Sequence, residues 1–126
     1  NSKILAVENG ETFLKIHSLM HEHNFDYYIY ISGFPNSLTK EFLENKNVVF
    51  FIDFDIEAIR MYDSIKCKNK TFYKPHNIEE YFKKSEVQTL YFKQRSAGIP
   101  EYHAELQWLI NLINKYCMVI EQEGIK

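Results

Sequence analysis

The most apolar run of the chain, Val48-Val-Phe-Phe-Ile-Asp-Phe-Asp55, ends on two aspartates, and a helix-like segment follows at once. An unbroken apolar run of this length, closed by charges, reads as a central strand of a parallel sheet. Strand side chains alternate between faces, so Asp53 and Asp55 should point the same way. In parallel α/β sheets, ligands bind beyond the carboxyl ends of the strands, where this pair falls. Two carboxylates there repel unless a cation or a proton lies between them. A divalent metal is therefore the expected occupant.

Punctuation along the chain supports the same architecture. Lys3 to Val7 (KILAV) is a short buried-strand run, and Glu8-Asn9-Gly10 turns out of it. A helix pattern covers 11–23, with Phe13, Ile16 and Met20 on one face. Asp26 to Ser32 (DYYIYIS) is β-rich and stops at the breakers Gly33-Phe34-Pro35-Asn36. Ser37 is the expected N-cap of a helix from Leu38 to Glu44, and Asp55 that of a helix from Ile56 to Lys66. Thr71 to Lys74 reads as another strand, and Asn77 or His76 caps a small helix through Phe82. Leu90-Tyr-Phe fits strand or helix equally. A long amphipathic helix is expected from Glu101 to Tyr116, carrying Leu106, Leu109, Ile110 and Ile113 inward. Strands alternating with helices predict an α/β sandwich on a mostly parallel sheet of four or five strands flanked by helices.

Size and charge narrow the classes of function. The chain has 126 residues, enough for one domain with a real core, and its hydrophobic fraction of 45% argues against disorder. A net charge of -2 supplies no global field toward nucleic acid or an anionic membrane. No run is apolar enough to span a bilayer, and no signal peptide is recognisable. Cys67 and Cys117 are too few for a disulfide scaffold, which points to a reducing cytoplasm. The chain begins at Asn1 with a strand close behind, as expected of a domain from a longer protein.

Acidic residues follow each of three strand-like runs: Glu8 after KILAV, Asp53 and Asp55 after VVFFI, and Glu121 and Glu123 after CMVI. If the strands ending at Glu8 and at Asp53 are parallel neighbours, their carboxylates share one sheet edge and form a hard oxygen site suited to Mg²⁺ or Mn²⁺. Such a metal implies phosphoryl transfer or phosphodiester cleavage, with the ion stabilising the attacking and leaving oxygens. Each residue also has an ordinary explanation: Asp55 as a helix cap, Glu8 as a loop residue, Glu121 and Glu123 as solvated charges. A strand-end Asp-x-Asp occurs in glycosyltransferases, phosphatases and phosphorelay receivers as well. Only the combination points to one site.

That combination resembles the Toprim domain of primases, topoisomerases and nucleases. Val7-Glu-Asn-Gly-Glu-Thr-Phe13, Gly33-Phe-Pro-Asn-Ser37, Phe51-Ile-Asp-Phe-Asp55 and Ile120-Glu-Gln-Glu-Gly124 are similar, in order, to motifs of the Toprim module of the Wadjet defence nuclease subunit (JetD-like) family. The resemblance implies a single Toprim-like, Rossmann-type domain spanning residues 1–126. It implies Glu8, Asp53 and Asp55 as catalytic residues that also hold Mg²⁺ or Mn²⁺, with Glu121 and Glu123 as a further metal contribution. DNA is then the substrate, and protein partners or an N-terminal region supply further contacts; a homodimer is compatible. The chain departs from the family at Ile56-Glu57-Ala58, where relatives carry a glycine.

Other candidates have plainer readings beside them. His17 and His21 have the spacing of a two-histidine metal site, yet they adjoin an apolar face and lack a third ligand. Arg60, Lys66, Lys68, Lys70 and Lys74 form the one basic stretch; Arg60 and Lys66, with Lys93 and Arg95, are candidates for a substrate phosphate. A solvated helix end favoured by the macrodipole explains the stretch equally well. Trp108 reads as core. Three functions are open: a metal-dependent DNA nuclease, a catalytically idle module binding nucleic acid or a partner protein, and another Asp-x-Asp phosphoryl-transfer enzyme such as a phosphatase.

Overall fold

The computed structural model describes residues 3–8, 25–31 and 35–121. The expected helix over 11–23, with His17 and His21, lies outside these residues, as do Gly33 and Phe34 of the breaker cluster and Glu123. The described elements are β1 (Lys3–Val7), β2 (Tyr27–Tyr30), α1 (Ser37–Leu43), β3 (Asn47–Phe51), α2 (Ile56–Ser64), β4 (Asn69–Phe72), α3 (Ile78–Lys84), α4 (Thr89–Ser96) and α5 (Gln107–Tyr116). The four strands form one parallel sheet in the order β2-β1-β3-β4. With its helices this sheet makes an α/β sandwich of Rossmann-like kind, as the alternating pattern predicts.

Burial follows position in the sheet. The inner strand β1 is sealed from Ile4 to Val7, whereas the edge strands β2 and β4 keep residues in solvent. An inner strand is covered on both faces, so its sequence has no polar phase; an edge strand tolerates one. Register then sets the site. Val7 pairs with Phe51, so all carboxyl ends fall on one side, with Glu8 level with Ile52 and next to Asp53.

An aromatic chain ties the layers together. Phe50 meets Tyr62 of α2 edge to face at 5.2 Å, Tyr62 meets Phe72 of β4 at 5.5 Å, and Phe72 meets Trp108 of α5 at 6.2 Å. Such pairs add about 0.5–1.5 kcal/mol each beyond the area they bury. Trp108 therefore packs against the core from the rim while being only half-buried.

Several helix ends differ from the sequence expectation, each for a local reason. Asn36, not Ser37, caps α1, its Oδ1 accepting the Thr39 N–H at 2.9 Å. The long helix expected from Glu101 begins only at Gln107, with Leu106 at its cap position, because His103 holds a turn ahead of it. Its Nδ1 accepts the N–H groups of Glu105 and Leu106, while Gln107 Oε1 accepts the His103 N–H at 3.0 Å. The ambiguous Leu90 region is helical, α4, and Gly98 at φ +100 leads the chain away from it. Asn77 stands at the α3 cap position without a side-chain cap bond. The strand expected over Thr71 to Lys74 lies earlier, as β4, and the Cys117 to Ile120 run contributes a single bridge rather than a strand. In that bridge, Phe54 N–H donates to Ile120 C=O at 2.7 Å and Ile120 N–H returns to Phe54 C=O at 3.2 Å.

Candidate functional site

At the carboxyl end of β3, Glu8 lies against Asp53, and Asp55 follows at the head of α2. Glu8 turns toward the neighbouring strand, and its Oε1 accepts the Asp53 backbone N–H at 3.0 Å. The antiparallel bridge between Phe54 and Ile120 sets Glu121 opposite Asp53 in register. Ser85 Oγ holds that tail by donating to Val119 C=O at 2.8 Å.

Asp55 has a definite structural task. In extended conformation it caps α2, and its Oδ1 accepts the Ala58 N–H at 2.7 Å. Its carboxylate is buried and also bonded by the Gln94 side chain. Gln94 Oε1 in turn accepts the Ile56 N–H at 2.9 Å, so a single buried glutamine serves the first turn of α2 and its cap together. No pattern in the sequence marks Gln94. It lies 38 positions from Ile56, within the stretch whose periodicity fits two structures.

Electrostatics binds these groups into one set. Burial pushes the Glu8 carboxyl above its ordinary range, and the charge of Asp53 pushes it further; the Asp53 N–H partly offsets both. Burial likewise raises Asp55 to about 6, against the hydrogen bonds from Ala58 and Gln94, with Glu8 and Glu57 adding repulsion. Two neighbouring carboxylates that resist ionisation mark a place where a proton or a cation is welcome.

Whether the residues suit a divalent ion depends on the demand made of them. Among the described residues, no three His, Cys, Asp or Glu side chains stand close enough to form a full protein cage. Mg²⁺ does not require one: it keeps several waters and takes one or two carboxylates plus substrate phosphate. Glu8 and Asp53, repelling one another at a sheet edge, meet that smaller demand. Asp55 is further committed, by its cap bond.

The predicted phosphate contacts are dispersed. Arg60 Nη1 bonds Glu57 at 2.8 Å while its Nη2 donates to the carbonyls of Ala97 and Gly98 at 3.2 and 2.6 Å, fastening α2 to the end of α4. Lys70 Nζ donates to the carbonyls of Tyr62 and Ile65, the helix-end role expected of a cation there. Lys66, Lys93 and Arg95 are exposed.

No family model matches the chain, and neither a curated protein nor a solved structure matches it. Among the described residues no helix is long and apolar enough to cross a membrane.

Proposed function

We propose that the protein is a metal-dependent nuclease domain of Toprim type, cleaving phosphodiester bonds of DNA at the carboxyl edge of β3. The observation that carries this reading is the bond from Asp53 N–H to Glu8, which couples the acidic ends of two parallel strands. In this reading Glu8 and Asp53 hold Mg²⁺ or Mn²⁺, with Asp55 behind them and Glu121 beside Asp53. When bound, the ion stabilises charge on the attacking and leaving oxygens. Burial and the Asp53 charge make the Glu8 carboxyl a better proton acceptor than an ordinary glutamate, which suits a proton-transfer role. Anti-plasmid or anti-phage defence in the cytoplasm is the role that the Wadjet resemblance suggests.

Purified protein with Mn²⁺ should nick supercoiled plasmid, and Asp53→Asn should abolish nicking while retaining the wild-type circular dichroism spectrum. Undiminished cleavage by that variant would sink the proposal. Turnover of small phosphate esters would instead favour a phosphatase.

One observation favours the second reading, an idle module that binds nucleic acid or a partner. Asp55 is spent on the helix cap and on Gln94, leaving fewer carboxylate lone pairs for a metal. Under this reading Mn²⁺ leaves the unfolding temperature unchanged; a nuclease site predicts a rise that Asp53→Asn removes.

A further inference from the structure

Beyond the carboxyl end of β4, one strand from the acidic set, lies a groove of about 360 Å³ lined by Lys74, His76, Glu79, Trp108, Asn111 and Lys115 among others. Its volume falls in the range of small-molecule sites. The wall is an aromatic platform with cations around it. Lys74 Nζ rests over the Trp108 ring at 4.8 Å. Lys115 Nζ bonds Glu79 at 2.9 Å, and that glutamate also accepts from the Tyr116 hydroxyl. His76 and Asn111 are exposed at the groove and add polar groups of either hydrogen-bonding sense.

We propose that this groove binds a nucleotide unit, the base against the Trp108 indole and the phosphate between Lys74 and Lys115. An indole face accepts any base, since every base has a π-face, and flanking cations follow the backbone. Both lysines are available for exchange. The cation over an indole is held by a weak attraction, and an exposed pair such as Lys115–Glu79 yields readily to a phosphate, which carries more charge than one carboxylate. Glu79 then keeps the Tyr116 hydroxyl, so its charge is not stranded. The groove also accounts for the part of Trp108 that core packing leaves exposed on a basic rim. Lys74 extends from the end of β4 and Asp53 from the end of β3, so a chain laid along the sheet edge would pass both. The inference deepens the proposed function and rests on it for the source of the nucleotide, a DNA strand; a free mononucleotide has the same chemistry.

Trp108 is the one tryptophan of the sequence, so fluorescence excited selectively at tryptophan, beyond the tyrosine absorption band, reports the groove. The 126-residue protein in EDTA is titrated with the oligonucleotide dT8 and with dTMP, and fluorescein-labelled dT8 is followed by anisotropy. Saturable quenching by dT8 is expected, weakening at high salt. Lys74→Gln and Lys115→Gln should each weaken binding roughly threefold to tenfold, the effect of losing about one phosphate contact. Trp108→Ala should weaken it roughly tenfold, with Trp108→Phe retaining most of the affinity because a ring persists. Binding of dTMP as tight as that of dT8 overturns the strand as source while assigning the groove to free nucleotide. No saturable quenching by either ligand, or unchanged affinity in both lysine variants, overturns the groove itself. The mononucleotide dTMP, too short to reach the β3 end from the groove, should bind Asp53→Asn protein like wild type. Lost cleavage with intact quenching, or intact cleavage without quenching, therefore separates failure of one proposal from failure of the other.

Discussion

The carboxyl ends of β3 and β4 are neighbours on one sheet edge, yet they are opposite in charge and in exposure. At β3, Asp55 is buried and Glu8 half-buried, and both carboxyls are driven upward by lost solvation. At β4, Lys74 and His76 stand in water beside a half-buried indole. The difference comes from sheet position. β3 is an inner strand covered by helices, and its closing charges inherit the low dielectric of the core. β4 is an edge strand, NKTF, whose closing charges keep their solvent. The same sheet edge thus carries a desolvated acidic end beside a solvated basic one, the contrast on which both proposals rest.

The contrast can be broken by removing what buries β3. Phe50→Ala should cost about 3–5 kcal/mol in urea unfolding, since the ring is fully buried against Tyr62. A cost as small as that of a surface change would show that β3 is not an inner strand. Next in size is Gln94→Leu, which leaves the Ile56 N–H buried without its acceptor and strips the amide from Asp55. A loss of about 1–3 kcal/mol is expected, and a neutral result would show that Gln94 is not the support of the α2 cap.

The pH dependence sharpens the same point. Folded Asp55 binds its proton more tightly than the unfolded chain does, with a folded value of about 6. Its contribution to stability is full below the unfolded value of about 4 and is lost as pH rises through the folded value. In EDTA the protein should be about 1 kcal/mol more stable at pH 5 than at pH 7, and Asp55→Asn should flatten that slope. Glu8 acts in the same direction. A profile that climbs from pH 5 to 7 and is unaltered in the variant would contradict a desolvated Asp55. Smallest of all is Lys74→Gln, which should change stability by no more than about 0.5 kcal/mol while weakening nucleotide binding. A large loss of stability there would make Lys74 a packing residue and blur the contrast between the two ends.

Much of this edge is legible in the sequence. The unbroken apolar phase of VVFFI signals an inner strand, and Asp55 directly ahead of a helix pattern signals a cap. Glu8 follows a second apolar strand, and parallel neighbours necessarily bring such ends together. Gln94 is illegible because a buried glutamine has the same sequence appearance as an exposed one; only its distant partner at Ile56 gives it meaning. His103 is hidden for a similar reason. A turn held by a histidine has no strong propensity signal, so the helix pattern runs through it to Glu101. Arg60 looks like one member of a basic stretch, and it takes contact with the carbonyls of Ala97 and Gly98 to show that it works as a fastener. Trp108 carries the opposite lesson: its apolar neighbours suggest plain core, whereas its position at the rim makes it the wall of a groove.

By itself the sequence determined the α/β class, the central strand, and acidic residues at the ends of its strands, because these follow from hydrophobic period and from charges placed where that period stops; the β1–β3 pairing that brings Glu8 to Asp53 came from the tertiary structure. The tertiary structure alone decided that Asp55 is held by Gln94, that the tail brings Glu121 opposite Asp53, and that Lys74 and Lys115 share a groove with Trp108. Those relations join residues tens of positions apart. They depend on strand order, register and helix packing, which local pattern does not encode.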